Sequence, residues 1–197
     1  MCIRDSPHSL LNDYVRTLYE DKKGRFFIGS LNGLQIYDRA TDSFTTIPMY
    51  LSSGDPIAPN IATILERNNG EILIGTSGHS MFILETKGDS INAKQISQFI
   101  PSNLIIYTYE DKKGNLWIAT GDNGIFRFDK NNQSKHYTGD KDIAKNTVSS
   151  MCEDEQGNLY ISSLKRGLFI YNEKADTFTP LTYTPNPCLL YTSDAAD

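Results

Sequence analysis

Glutamate followed directly by aspartate is the pattern in this chain with the most obvious chemical potential: Glu20-Asp21, Glu110-Asp111 and Glu153-Asp154. Two carboxyl groups flanking a glycosidic bond are what acid–base hydrolysis of sugars requires. Each of these aspartates, however, stands three residues before a glycine: Gly24, Gly114 and Gly157. Asp-x-x-Gly is turn chemistry, because the Asp carboxylate accepts local N–H groups and Gly takes a positive φ. A turn role outweighs acid–base work, and no catalytic residue is expected. The stretch Asp111-Lys-Lys-Gly-Asn115 lacks the alternating ligands of a calcium loop. His8, His79 and His136 are scattered, so neither a metal site nor a cofactor is expected. Cys152, beside Met151, reads as a buried small hydrophobe. Trp117 is the only Trp and could serve as an aromatic platform for a sugar. It occupies the slot held by Phe27, Leu73 and Tyr160 in parallel segments, so it reads as core.

Those parallel segments define the elements. Residues 15–29, 61–75, 105–119 and 148–162 align, with glycines at Gly24, Gly70, Gly114 and Gly157 and periods of 46, 44 and 43 residues. Each copy opens on a strand with an acidic close, at Glu20, Glu66, Glu110 and Glu153. A turn follows, which in the second copy is Arg67-Asn-Asn-Gly70 and keeps only the Gly. The second strands (Phe26-Phe-Ile-Gly29, Ile72-Leu-Ile-Gly75, Leu116-Trp-Ile-Ala119, Leu159-Tyr-Ile-Ser162) carry three apolar residues in succession. That run means both faces are covered, and the small fourth residue implies close backbone approach. A third strand follows a loop with Gly33, Gly124 or Gly167, replaced by Ser80 in the second copy. A more polar fourth strand near Phe44, Ile96, Tyr137 and Phe178 suits an outer edge. Four strands per period in the mid-forties, without helical periodicity, predict an all-β chain: a partial β-propeller of four blades of four antiparallel strands each. The blades are expected at about residues 10–48, 57–100, 101–138 and 143–182.

The ends read differently. Met1 to Ser6 can be back-translated to ATG TGT ATA AGA GAC AG, whose reverse complement encodes Cys-Leu-Leu-Tyr-Thr, the residues Cys188 to Thr192. This resembles a transposon-end sequencing adapter, so residues 1–6 and 188–197 are expected to be artefact and 7–187 the authentic propeller, itself part of a longer protein. On that expectation neither end informs on leader, anchor or localisation. Excluding them removes Asp194 and Asp197, while Arg4 and Asp5 cancel, so the net charge moves from −5 to −3. An acidic body argues against nucleic acid as a partner. No apolar run is long enough to span a bilayer.

Asn146-Thr-Val148, Glu110-Asp111 through Gly114-Asn-Leu-Trp-Ile-Ala-Thr120, and Gly33-Leu34 with Tyr37-Asp38 carry a resemblance. The pattern resembles the two-component regulator propeller repeat, in four copies over roughly residues 10 to 181. The resemblance implies a periplasmic sensor module of hybrid two-component regulators of gut Bacteroidetes, responding to carbohydrate breakdown products. Kinase and output functions would lie in sequence beyond this chain, and the chain itself would not be an enzyme. The implied partners are an oligosaccharide ligand, neighbouring blades and, in the parent protein, a second copy.

A ligand is expected at the loops between second and third strands and at the links between blades, which differ between copies while the strands do not. The first set offers Asn32, His79, Asp122, Asn123, Lys165 and Arg166. The second spans about residues 49–60 and 139–146, with Tyr50 and Asp140 as contacts. Lys165 and Arg166 would suit an anionic sugar, or form a solvated loop. A protein-interaction scaffold and a propeller lyase or hydrolase are the competing readings. Four blades without further neighbours would expose two apolar faces, so the isolated chain is expected to aggregate or dimerise.

Overall fold

The computed structural model describes residues 9–88, 90–96, 100–138, 148–164 and 166–181, and every element named in it is a β-strand. Blade 1 comprises β1 (Val15–Glu20), β2 (Phe26–Ser30), β3 (Gly33–Asp38) and β4 (Ser43–Ile47) in that spatial order. Two short strands follow, β5 (Met49–Tyr50) and β6 (Pro56–Ile57). Blade 2 holds β7 (Asn60–Glu66), β8 (Ile72–Ser77), β9 (Met81–Lys87) and β10 (Ser90–Ile96). Blade 3 holds β11 (Ile105–Glu110), β12 (Leu116–Thr120), β13 (Ile125–Phe128) and β14 (Ser134–Tyr137). Blade 4 holds β15 (Val148–Glu153), β16 (Leu159–Ser163), β17 (Gly167–Asn172) and β18 (Thr177–Pro180). All pairing within each set of four is antiparallel, and each first strand shifts register by one residue, as between Val15 and Thr17.

The first strands β1, β7, β11 and β15 contact one another in sequence, whereas the outer strands β4, β14 and β18 pair within their own blade. This is a propeller arrangement, with four twisted sheets packed face to face around their inner strands. The segment expected as a long loop at 49–60 is partly sheet. Met49 and Tyr50 run parallel to Ala93 and Lys94 of β10, and the second sheet gains β5 and β6 to reach six strands. The reason is apolar burial: Met49 is fully packed in the core between blades 1 and 2.

Three cores fill the three spaces between blades. Phe27, Leu34 and Ile47 of blade 1 meet Ile61, Ile64, Ile74 and Phe82 of blade 2. Leu73 and Met81 meet Ile105, Leu116, Ile118 and Phe126. Trp117, Ala119, Ile125 and Tyr137 meet Val148, Met151, Ile161 and Phe169. The small fourth residue of the second strands in blades 1 and 2 has the role the sequence suggested. A Cβ on Gly29 would stand 2.6 Å from Ile61 Cγ2, and one on Gly75 would stand 2.5 Å from Ile105 Cγ2.

The two end faces have no such cover. Leu18 of blade 1 occupies the slot of Ile64, Thr108 and Met151, which are buried, yet it is 59% exposed. Leu168 of blade 4 occupies the slot of Leu34, Met81 and Ile125, also buried, and is 44% exposed. Cys152 lies on the same face of blade 4 and is exposed, which corrects its expected burial. Its counterparts Tyr19, Leu65 and Tyr109 pack against a following blade, and no described residue supplies one for Cys152. No helix among the described residues is long and apolar enough to cross a membrane.

Candidate functional site

Strand alternation gives the propeller two rims. One carries the turns joining first to second and third to fourth strands. The other carries the loops between second and third strands and the links between blades.

On the turn rim, aspartate and glutamate divide the work. Asp21 Oδ1 accepts the N–H groups of Lys23 (3.0 Å) and Arg25 (2.8 Å), and Asp111 Oδ1 accepts those of Lys113 (3.0 Å) and Asn115 (2.7 Å). Asp154 repeats this with Asn158 N at 2.8 Å. The buried Asp111 also accepts the indole N–H of Trp117 at 2.8 Å, tying the core of blade 3 to its turn. The glutamates act across blades instead. Glu66 accepts Lys22 N–H of the preceding turn at 2.9 Å, Glu110 accepts Asn68 N–H at 2.5 Å, and Glu153 accepts Lys112 N–H at 2.7 Å. The turn role read for the Glu-Asp pairs therefore holds for Asp, while Glu latches each blade to the one before it. Arg67, which replaces the turn Asp in blade 2, pairs with the latch carboxylate Glu110 at 3.2 Å.

Blades 3 and 4 share a further lock. Arg127 stands in β13 opposite Trp117, where the other blades have Ile36, Ile83 and Ile170. Its guanidinium lies over the Trp117 and Tyr171 rings, at 5.6 and 5.8 Å from their centroids. It donates to the Tyr171 hydroxyl and, at 3.1 Å, to Asp176. Asp176 also accepts from the Tyr137 hydroxyl at 2.7 Å, from Tyr171 and from Lys135. Partial burial pushes the Asp176 carboxyl up, but the hydrogen bonds from Lys135, Tyr171 and Tyr137 and the Arg127 charge outweigh it. The carboxyl is held well below the usual carboxylate range. Burial, with the hydrogen bond to Asp176, pushes the Tyr171 hydroxyl up to about 12.

Beside this lock, on the turn rim between blades 3 and 4, opens a cavity of about 450 Å³. Arg127, Tyr171, Lys113, Asn158, Glu173 and Lys174 are among its lining residues. Amides, charges of both signs and one aromatic side chain can hydrogen-bond and stack a small polar molecule. The sequence reading placed its candidates elsewhere and missed this group. Arg127, one charge in a slot otherwise filled by isoleucine, was the available signal.

The sequence-predicted residues that the structure describes lie on the loop rim and are spread around it. Asn32 borders a smaller, mainly apolar cavity of about 310 Å³ with Pro48, Met49, Pro56 and Ile57. Tyr50 is in β5 and exposed. His79 is half-buried; its N–H donates to Thr76 Oγ1 at 3.2 Å, its carbonyl accepts from Gln95 at 2.9 Å, and its Nδ1 has no partner among the described residues. Asp122 accepts from Ser102 Oγ at 2.5 Å, and the adjacent Asn123 donates to Pro101 O at 3.2 Å. Arg166 is exposed. Asp140 and Lys165 lie outside the described residues. Of the described residues of this set, only the sequence neighbours Asp122 and Asn123 lie side by side. Among the described residues, no group of three or more His, Cys, Asp or Glu side chains is placed to hold a metal ion.

Three segments, residues 9–32, 100–122 and 142–165, match the family described as two component regulator propeller. They span the first two strands of blades 1, 3 and 4. No curated protein matches the sequence. Among solved structures, the extracellular domain BT4673 from B. thetaiotaomicron, described as that of a hybrid two component system, superposes with a TM-score of 0.74 at 20% identity. The match covers 91% of this chain and 25% of that one. PorZ, a surface component of the type-IX secretion system of Porphyromonas gingivalis, matches with a TM-score of 0.62 at 16% identity over 89% of this chain and 28% of its own. Virginiamycin B lyase from Staphylococcus aureus gives 0.62 at 14% identity, over 90% and 59%. At such identities the likeness is one of fold. The chain spans about a quarter of the length of the BT4673 extracellular domain.

Proposed function

We propose that the chain, three segments of which match the two-component regulator propeller repeat, is part of the ligand-sensing propeller of such a regulator, located in the periplasm. The observation that carries this reading is the repeat match itself, in phase with the blades over residues 9–32, 100–122 and 142–165. The extracellular placement of BT4673, which shares the fold, supports the location. Any phosphotransfer would belong to other segments of the regulator.

The ligand we propose is an oligosaccharide released from a complex carbohydrate, and the turn-rim cavity between blades 3 and 4 is the site that suits it best. Sugar hydroxyls both donate and accept, and the cavity offers amide, carboxylate and cationic partners around the Tyr171 ring. A lyase role like that of the Staphylococcus aureus enzyme has less to support it. Glu110 and Glu153 are engaged as latches and Asp21, Asp111 and Asp154 in their turns, so these carboxylates are already occupied as hydrogen-bond acceptors.

Calorimetric titration against neutral and anionic oligosaccharides tests the reading. Saturable binding of one sugar class, weakened at least tenfold by Lys174→Ala and unchanged by Asn32→Ala, is the expected outcome. Binding weakened by Asn32→Ala instead would move the site to the loop rim. Absence of binding across the panel would remove the carbohydrate ligand and favour an interaction scaffold.

A further inference from the structure

The rim that carries the turns holds another cavity, of about 320 Å³, between blades 2 and 3. Arg67, Lys112, Lys113 and Lys130 line it, against a single carboxylate, Glu110. The neighbouring cavity between blades 3 and 4 is balanced, with Lys113, Arg127 and Lys174 facing Asp111, Glu153 and Glu173. Lys113 borders both, so the two cavities flank the blade 3 turn. In a chain of net charge −5, four cations at one cleft are a local excess that the composition opposes.

Two of the four are already neutralised. Arg67 pairs with Glu110 at 3.2 Å and Glu71 at 3.3 Å, and Lys113 pairs with Glu173. Lys112 and Lys130 are paired with no carboxylate among the described residues. The Lys112 ammonium donates to the carbonyl oxygens of Asp154 (2.6 Å) and Glu155 (3.4 Å), which hold it in place without cancelling its charge. For Lys130 the latch is the reason. It stands two residues beyond Phe128, as Arg39 stands two beyond Tyr37, and Tyr37 and Phe128 share a register slot opposite Phe26 and Leu116. Arg39 pairs with Glu20 of its own blade at 2.9 Å. The matching carboxylate in blade 3, Glu110, is taken by Arg67 and the Asn68 N–H of blade 2. Lys130 lies over the blade 3 turn instead: a Cβ on Gly114 would stand 3.1 Å from Lys130 Cε, so the glycine leaves room for the lysine stem. Like charges gathered in a cleft repel one another and focus a positive potential there, which a bound anion relieves.

We propose that this cavity binds an anionic group, carboxylate or sulfate, carried by the oligosaccharide whose rings occupy the neighbouring cavity. The inference rests on the reading of the turn rim as the ligand face. Lys130 and Lys112 supply the charge, and the exposed Asn68 amide can donate to a further anion oxygen. The ligand is then an acidic oligosaccharide rather than a neutral one, with Lys113 standing where its acidic unit meets the next.

Calorimetric titration of the intact chain with a galacturonate trimer, a sulfated trimer and a neutral hexose trimer tests this. One acidic trimer should bind about tenfold or more tighter than the neutral one, and the advantage should shrink as salt is raised. Lys130→Ala and Asn68→Asp should each erase that advantage and leave the neutral trimer's affinity unchanged, whereas Lys130→Arg should keep it, with unchanged far-UV circular dichroism in all three. Equal affinity for acidic and neutral trimers, or an advantage that survives Lys130→Ala, overturns the proposal and leaves the sugar reading intact. An advantage lost in Arg166→Ala instead places the acidic group on the loop rim and overturns it as well. If no trimer binds, the carbohydrate reading fails and inorganic sulfate decides the anion site. Saturable sulfate binding abolished by Lys130→Ala sustains the site with another carrier, and no binding ends it.

Discussion

Gly75 gives up its side-chain space to Ile105: a Cβ on the glycine would stand 2.5 Å from Ile105 Cγ2 and 2.6 Å from Thr63 Cγ2. The glycine is not at positive φ, so the requirement is for space rather than for backbone freedom. Overpacking of this kind costs about 1–3 kcal/mol. Gly75→Ala should lower the urea midpoint accordingly. Ile105→Val in the same background should recover part of the loss, as Ala119 with Val148 already does in the next junction. A double-mutant cycle with no coupling would contradict the account.

The latch glutamates should matter only where a preceding turn exists. Glu110→Ala removes the acceptor of the Asn68 N–H and one of the two carboxylates at the Arg67 guanidinium, which keeps Glu71, and should destabilise by about 1–2 kcal/mol. Glu20→Ala, whose carboxylate pairs with Arg39 on the surface, should move the unfolding midpoint far less. Equal losses in the two variants would mean that the glutamate serves its own blade.

Acid should loosen the junction of blades 3 and 4 first. The Asp176 carboxyl lies below its unfolded value, so its contribution is complete above pH of about 4 and is lost as pH falls further. Asp176→Asn should be less stable than wild type at neutral pH, and the gap should narrow in acid. At the other extreme, burial holds the Tyr171 hydroxyl protonated up to about 12. The stability it adds is complete below pH of about 10 and is lost as pH rises toward that value. Ultraviolet titration of Tyr171→Phe against wild type reads this directly.

Ser80 sits at φ +60°, in the position where Gly33, Gly124 and Gly167 also have positive φ, and its buried hydroxyl has no hydrogen-bond partner among the described residues. A non-glycine residue in that region costs on the order of 1 kcal/mol. Ser80→Gly should therefore raise the melting temperature while leaving the Ser80 N–H bond to Asn103 O intact. A lowered melting temperature would mean that the hydroxyl has a partner or ligand of its own.

The sequence by itself determined the blade. Its period, the Asp-x-x-Gly turns, the doubly apolar second strands and the small residue after them each follow from local geometry and alternation, and the four strands formed where those patterns stood. It also placed Trp117 in a core, because its slot is apolar in every copy. Tertiary structure decided what lies between blades. The spacing to glycine marks the turn Asp, but nothing local assigns the Glu before it, whose carboxylate reaches a turn more than forty residues away. Met49 reads as loop until the face of β10 is there to receive it. Arg127 looks misplaced among isoleucines until Asp176 and Tyr171 arrive from the next blade. Cys152 is placed by its strand but exposed by the absence of a described neighbour. Strand patterns are written within a blade, whereas burial, charge pairing and the polar cavity arise at junctions between blades that the chain reaches only after folding.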